Sequence, residues 1–240
     1  MPGTEPEHTL ESSPELTPAP ADLPSALNED LALAQLADRD LNSTEVEQIA
    51  RNTGLLKSRK VRLALASHPR TPRRFALRLI RELYSFELMH FALLPTAGPD
   101  LKRLADELLI SRLASVTLGE RIALGRRCTE KVAGALLLDK ETRVWQAALE
   151  NPRLTEASVV RTLQRGVTAP FVEAVCRHSK WSLRHEVRIA LLRNAHTPLA
   201  RALEFARRLP PAQLRDVLHA SKLPEKIKEY LRKEVQKASS

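Results

Sequence analysis

A twelve-residue motif that occurs three times limits what this chain can fold into. Two copies are close, VRLALASHPRTP at 61–72 and VRIALLRNAHTP at 187–198, and a looser copy, VWQAALENPRLT, occupies 144–155. The later copies begin about two and about three units of roughly 42 residues after the first, and this unit is the length of a two-helix solenoid repeat. The spacing therefore predicts a protein built from repeated pairs of helices.

Within each copy, apolar residues predict a helix and a helix-breaking signal predicts its end. Val61, Ala64 and Leu65 are spaced i, i+3, i+4, so they share one helix face. The other two copies keep apolar residues at the same three positions. Proline has no backbone N–H and disfavours the helical conformation in the residue before it. The helix of the first copy is therefore predicted to end at His68-Pro69.

The end of the motif predicts the start of a second helix. Thr71-Pro72 in the first copy and Thr197-Pro198 in the last copy have the order of a threonine N-cap followed by proline in the first helical turn. Each of these copies therefore predicts a helix, a stop, a tight turn and a new helix. The predicted core positions of the new helix after the first copy are Ala76, Leu79 and Ile80.

The pattern Val-Arg-x-Ala-Leu followed by Asn-Pro-x-Thr-Pro resembles the leucine-rich repeat variant family and, more broadly, HEAT-like α-solenoids. The resemblance covers roughly residues 27–235 and is strongest at 61–72 and 187–198. It implies an all-α fold, namely an α-solenoid of stacked antiparallel helix pairs with HEAT-like repeats of about 42 residues. Some variant-family proteins carry an N-terminal iron–sulfur cluster on clustered cysteines. This chain has only Cys128 and Cys176, so no cofactor is expected.

Composition divides the chain into a tail and a helical domain. Residues 1–30 hold seven acids and no Lys or Arg, and such a segment buries too little apolar surface to offset the entropy of ordering. We expect residues 1–25 to be a disordered acidic, Pro-rich tail and residues 26–238 to be the repeat domain, with a C-terminal capping helix at 224–238. Apolar runs are too short to span a membrane, and two cysteines are too few for a disulfide framework. A soluble cytoplasmic protein is therefore expected.

Basic residues are concentrated in one part of a chain whose net charge is +9. Between Gln48 and Arg81 there are ten bases and no acid. The positions of Arg73, Arg74 and Arg78 correspond to Leu199, Ala200 and Glu204 in the last repeat. The fold therefore does not require these arginines. Guanidinium groups presented together suit phosphates or carboxylates. The residues predicted to bind an anion or a partner are Arg59, Lys60, Arg70, Arg73, Arg74, Arg78 and Arg81.

These features leave three functions open. The first is a non-catalytic adaptor or scaffold that binds a protein or peptide on the solenoid surface. The second is a nucleic-acid-binding protein that uses the basic face at 51–81. The third follows from a resemblance in length, basic charge and helix content to HEAT-like alkylpurine DNA glycosylases, which use tryptophans and an aspartate in a concave groove. The matching residue types here are Trp145, Trp181 and Asp139.

No catalytic, cofactor-binding, metal or small-molecule site is predicted. The histidines lack the spacing of metal ligands, and the chain has neither a phosphate-binding loop nor a dinucleotide fingerprint. The two cysteines are expected to pack as small apolar residues. We therefore expect a binding protein rather than an enzyme, with an unidentified protein or peptide, or else nucleic acid, as its partner.

Overall fold

The computed structural model describes residues 28–238, which form fifteen α-helices and two short 3₁₀ turns and contain no β-strand. The all-α prediction is therefore confirmed for this part of the chain, and the tail predicted at 1–25 lies outside it. The helices, in chain order, are α1 (Glu29–Ala37), α2 (Ser43–Arg51), α3 (Arg59–Ser67), α4 (Arg73–Glu82), α5 (Ser85–Leu93), α6 (Pro99–Arg112), α7 (Leu118–Arg127), α8 (Glu130–Leu136), α9 (Thr142–Leu149), α10 (Glu156–Gln164), α11 (Ala169–Arg177), α12 (His185–Arg193), α13 (Leu199–Ala206), α14 (Pro211–His219) and α15 (Glu225–Ala238).

The main helix–helix contacts join elements that are adjacent or next but one along the chain. Examples are α1 with α3, α5 with α6, α7 with α9, α10 with α12, and α13 with α15. Each helix is therefore supported mainly by its near neighbours in the sequence.

The described residues contain no helix with the length and apolar character needed to span a membrane.

One apolar core connects these helices. A single cluster of buried side chains extends from Ala32 in α1 to Leu231 in α15. Val61 and Leu65 on the predicted face of the first motif copy are 0% exposed. The predicted core positions of the next helix are also buried: Ala76, Leu79 and Ile80.

A buried asparagine ties the end of α9 to the end of α7. Asn151 is 0% exposed, and its Nδ2 donates to the carbonyl oxygens of Gly125 at 2.7 Å and Cys128 at 3.2 Å. Its Oδ1 accepts from the backbone N–H of Arg153 at 2.8 Å, which shapes the turn after α9. Carbonyls at a helix end lack partners within their own helix. One side chain therefore closes a turn and satisfies the end of an earlier helix.

The same device recurs at three other helix ends. Asn194 donates to Leu163 O at 3.1 Å, His68 Nε2 bonds Asp38 O at 2.9 Å, and Ser221 Oγ donates to Leu192 O at 2.6 Å. Each also accepts a hydrogen bond from the backbone N–H two residues ahead. We call these four buried side chains the tethers, and their members are His68, Asn151, Asn194 and Ser221.

The structure corrects the predicted role of the two motif threonines. The N-cap positions belong to Pro72 and Pro198, one residue later than predicted. The hydroxyls of Thr71 and Thr197 instead donate backward at 2.6 Å to Leu65 O and Leu191 O in the preceding helices. Each of these carbonyls also accepts the backbone N–H of the helix C-cap residue, His68 or Asn194, so the threonine adds a second bond at the helix end. The helix boundaries still lie where the motif predicts them, to within one residue.

The C-terminal helix predicted at 224–238 forms as α15 and contacts α13 and α14. Leu231 on its predicted apolar stripe is buried, and Ile227 is partly buried against the core. Tyr230 does not follow the prediction, because it is 43% exposed.

Leu65→Ala and Leu191→Ala are each expected to lower the free energy of unfolding by about 2–5 kcal/mol, because truncation leaves a cavity in a packed layer. Both leucines are 0% exposed. Leu183→Ala is the control, since Leu183 is 62% exposed, and it should cost less than about 0.5 kcal/mol. Urea denaturation measures all three, and equal losses would mean that the buried helix faces are assigned wrongly.

Asn151→Ala is expected to lower the free energy of unfolding by about 2–4 kcal/mol, because it leaves buried carbonyls without donors. Asn52→Ala is the matched control. Asn52 also ends a helix and accepts from Gly54 N at 3.0 Å, but it is exposed, so water replaces the lost bond. The control should cost under about 1 kcal/mol. A tether role for Asn151 requires a clear difference between the two variants in the same denaturation measurement.

Candidate binding surfaces

The predicted basic residues lie on α3, on the turn after it and on α4. We call them the basic surface, and all of its members are exposed: Arg59, Lys60, Arg70, Arg73, Arg74, Arg78 and Arg81. The predicted collection of bases on neighbouring elements is therefore present. Their ability to bind an anion depends on what else lies beside them.

Acids from outside the basic run reach five of these seven bases. Three of the pairs have N–O distances of 3.1, 3.1 and 3.4 Å, and all lie on the surface. Pairs of this kind contribute little to stability, but they compensate charge locally. The pairs are Arg59–Glu87, Arg70–Asp40, Arg73–Asp100, Arg74–Glu47 and Arg78–Glu82.

Glu47 shows how close this compensation is. Its carboxylate pairs with Arg51 on its own helix and with Arg74 on α4. The hydrogen bond from Arg51, with the charge of Arg74 added, lowers the pKa of Glu47 from its usual value. Of the seven predicted residues, only Lys60 and Arg81 have no ion pair with an acid in the part of the chain that the structure describes.

The tryptophans that the glycosylase alternative depends on are largely buried, and Asp139 is paired with an arginine. Trp181 is 1% exposed and its Nε1 donates to Leu149 O at 2.9 Å. Trp145 is 5% exposed and meets Phe171 edge-on, with ring centroids 5.3 Å apart. Asp139 forms an ion pair with Arg121 at 3.0 Å. Trp145 and Asp139 line one small cavity of about 180 Å³. A flipped base needs an open aromatic face for stacking, and the two tryptophans are almost fully buried.

The two cysteines lie in the core. Cys128 is 0% exposed and Cys176 is 1% exposed, and burial raises the pKa of each thiol to about 12. A reactive cysteine has a lowered pKa and an accessible sulfur. Within the described residues, no group of three or more His, Cys, Asp or Glu side chains could hold a metal ion.

A groove between three helices brings together basic residues that the sequence did not single out. It has a volume of about 450 Å³. We call it the α7–α9–α11 groove, after the helices that form its walls. The polar side chains along it are Arg126 from α7, Arg143 and Gln146 from α9, Glu150 at the C-cap of α9, and His178 at the C-cap of α11.

The charges in this groove differ from those of the basic surface. Neither Arg126 nor Arg143 forms an ion pair with an acid among residues 28–238. Arg143 is the second residue of α9, where the helix dipole is unfavourable for a positive charge. The last motif copy has Glu186 at this position, so a base is not needed to build the helix. The helix itself therefore gives no reason for an arginine here.

His178 adds a hydrogen-bond donor to the groove. Its Nδ1 accepts from the backbone N–H of Lys180 at 3.1 Å, which places the proton of the neutral ring on Nε2. Nε2 is buried and has no hydrogen-bond partner. Glu150 Oε1 lies 3.3 Å away without hydrogen-bond geometry, on a side chain that is 72% exposed.

Sequence reasoning missed this groove for a definite reason. The position of Arg143 could have been noted, because it directly precedes the second motif copy, as Lys60 precedes the first. The proximity of Arg126 and His178 follows only from the packing of α7 and α11 against α9, which no local pattern encodes.

Comparisons with protein-family models, curated proteins and solved structures find no match for this chain.

Both cysteines are expected to resist alkylation in the folded protein. With a thiol pKa of about 12, roughly one molecule in ten thousand carries the thiolate at pH 8, against roughly a quarter for an ordinary exposed cysteine. Iodoacetamide labelling followed by mass spectrometry should show slow modification in buffer and rapid modification of both thiols in urea. Rapid labelling of the folded protein would contradict the burial of the thiols.

Proposed function

We propose that this chain is a non-catalytic scaffold whose helix pairs stack as a HEAT-like α-solenoid and bind a protein or peptide segment on their surface. The observation that carries the proposal is the α7–α9–α11 groove, where Arg126 and Arg143 have no acidic partner within the described chain and an unpaired donor lies beside them. Contacts between near neighbours in the chain and the recurring tethers support the solenoid part of the proposal.

The proposal includes a cytoplasmic location. Cys128 and Cys176 are free, buried thiols, and free thiols are typical of proteins in a reducing compartment.

The pairing on the basic surface favours a polypeptide partner over nucleic acid. A duplex binds through many phosphates at once, and each phosphate needs an available cation. Acids already compensate five of the seven predicted bases. Binding a duplex there would require each of those pairs to be broken or shared.

The test compares a DNA duplex of about 20 base pairs with acidic peptides, each titrated into the full chain at low and at physiological salt. We expect peptide binding to persist and duplex binding to be weak, with an affinity that changes little when the basic surface is altered. The variant replaces Arg73, Arg74 and Arg78 with the residues of the last repeat, as Arg73→Leu, Arg74→Ala and Arg78→Glu. These replacements occupy the equivalent positions Leu199, Ala200 and Glu204, so the fold accepts them.

Two results would contradict the proposal. One is tight duplex binding that falls steeply with salt and is lost in the triple variant, which would establish the nucleic-acid function instead. The other is the absence of binding to any peptide or protein ligand while the duplex binds.

A further inference from the structure

His178 differs from the four tethers in one respect. Each tether donates to a carbonyl at the end of a helix about 30 residues earlier, as Asn194 does to Leu163 O and Ser221 does to Leu192 O. His178 ends α11 and makes the same turn bond, from Lys180 N to its Nδ1. Its Nε2, however, has no hydrogen-bond partner in the described chain.

The reason lies in Trp181. In each tether, the side chain donates to a carbonyl at the end of the helix two α-helices earlier. For His178 at the end of α11, the corresponding carbonyl is that of Leu149, the last residue of α9. This carbonyl instead accepts from Trp181 Nε1 at 2.9 Å. The indole therefore does the tethering at this level of the stack. His178 Nε2–H is left at the wall of the α7–α9–α11 groove.

A buried donor without a partner costs free energy, because it has lost its bonds to water and gained none. Here the unpaired donor lies in the same groove as Arg126 and Arg143, two cations with no acidic partner in the described residues. Two cations without an acidic partner and one N–H without an acceptor outnumber Glu150, the acid in this groove, and together fit an acceptor-rich anion. Guanidinium groups bind carboxylates with paired, charge-assisted hydrogen bonds.

The groove also has apolar walls. Ile122, Ala147 and Ala174 lie along it, one from each of the three helices. A volume of about 450 Å³ is large enough for a few amino-acid side chains. Gln146 adds a side-chain amide, which can both donate to and accept from a peptide bond.

We propose that the α7–α9–α11 groove binds an Asp or Glu side chain of a peptide segment in a partner protein, with an apolar residue of that segment against Ile122 and Ala174. Arg126, Arg143 and His178 Nε2–H bind the carboxylate. This proposal rests on the proposed scaffold function and names the chemistry of its ligand.

An acidic peptide fits the groove better than nucleic acid does. Glu150 stands beside His178 with a largely exposed carboxylate, which repels any anion but repels a closely spaced row of phosphates more strongly than a single carboxylate. A peptide places a single carboxylate next to apolar groups, and this combination matches two arginines above apolar walls. Binding of a duplex at this groove in place of peptides is therefore an outcome that overturns the proposal.

The experiment uses the full chain and an array of ten-residue peptides in which Leu or Phe lies beside Glu or Asp. A matched array carries Gln or Asn in place of each acid. Fluorescence anisotropy of the peptides that bind gives their dissociation constants. Acidic peptides should bind at least about tenfold more tightly than their amide counterparts, because the guanidinium pairs are lost with the charge.

Variants then locate the binding. Arg126→Ala with Arg143→Ala should weaken binding of the acidic peptides at least about tenfold, and the double Lys variant should be intermediate, because lysine keeps the charge but not the paired geometry. The matched control is Lys60→Ala with Arg81→Ala, which removes the same charge from two exposed bases that also have no acidic partner in the described chain. The control should leave the affinity within about twofold.

His178→Asp tests the unpaired donor separately. The chain already uses aspartate for this turn bond, since Asp38 Oδ1 accepts from Asp40 N and Asp139 Oδ1 accepts from Glu141 N, both at 2.9 Å. The variant should therefore fold, which circular dichroism verifies. It replaces the donor with a negative charge, so acidic peptides should lose at least about tenfold in affinity.

The outcomes separate this proposal from the broader one. Peptides that bind equally well with Gln for Glu, or that weaken equally in the groove and control double variants, overturn the groove proposal and leave the scaffold function standing. Binding of a duplex and of no peptide overturns both proposals. An array with no binder overturns the groove proposal, because its chemistry is fully represented there.

Discussion

A buried side chain that closes one helix and holds the end of an earlier helix is the interaction on which this fold depends. A helix leaves its last carbonyls without partners, and burying such a group without a donor costs about 1–3 kcal/mol. Asn151 and Asn194 supply that donor from the helix two elements later. The apolar core can therefore run through the helix ends. The tethers also fix the offset between neighbouring helices along their axes. A contact layer of only leucine and alanine would let the helices slide past one another.

This offset decides which charges meet. Once α4 is held beside α2 and α6, Arg74 lies next to Glu47 and Arg73 lies next to Asp100. Four of the five acids that compensate the basic surface are distant in the sequence, and the fifth, Glu82, is four residues from Arg78 on the same helix. In the α7–α9–α11 groove, helix packing brings Arg126 and Arg143 to a cavity without bringing an acid to pair with either of them in the described chain. Two regions of similar composition consequently have different capacities to bind an anion.

The motif at 61–72 shows how far local reasoning extends. The spacing of Val61 and Leu65 predicted a buried face, and both side chains are fully buried. The residue types at Thr71-Pro72 predicted a helix start to within one residue. The hydroxyl of Thr71 was assigned the wrong partner, because the sequence does not show whether it bonds forward to the next helix or backward to Leu65 O. The site residues could not be ranked from sequence, because whether an acid compensates a surface base depends on which residues lie near that base in space.

The sequence by itself determined the helical class, the positions of the motif's helix stops and most of the core residues of the motif, among them Val61 and Leu65. These depend on the periodicity of apolar residues and on proline, which act within a few residues of one another. Only the tertiary structure decided which bases are compensated and that Trp181 takes the Leu149 carbonyl and leaves His178 Nε2 unpaired. The physical reason is that the tethers, the Trp181 bond and four of the five ion pairs on the basic surface join residues 23 to 32 positions apart. These partners are chosen by the way the helices pack against one another and not by any pattern within one helix.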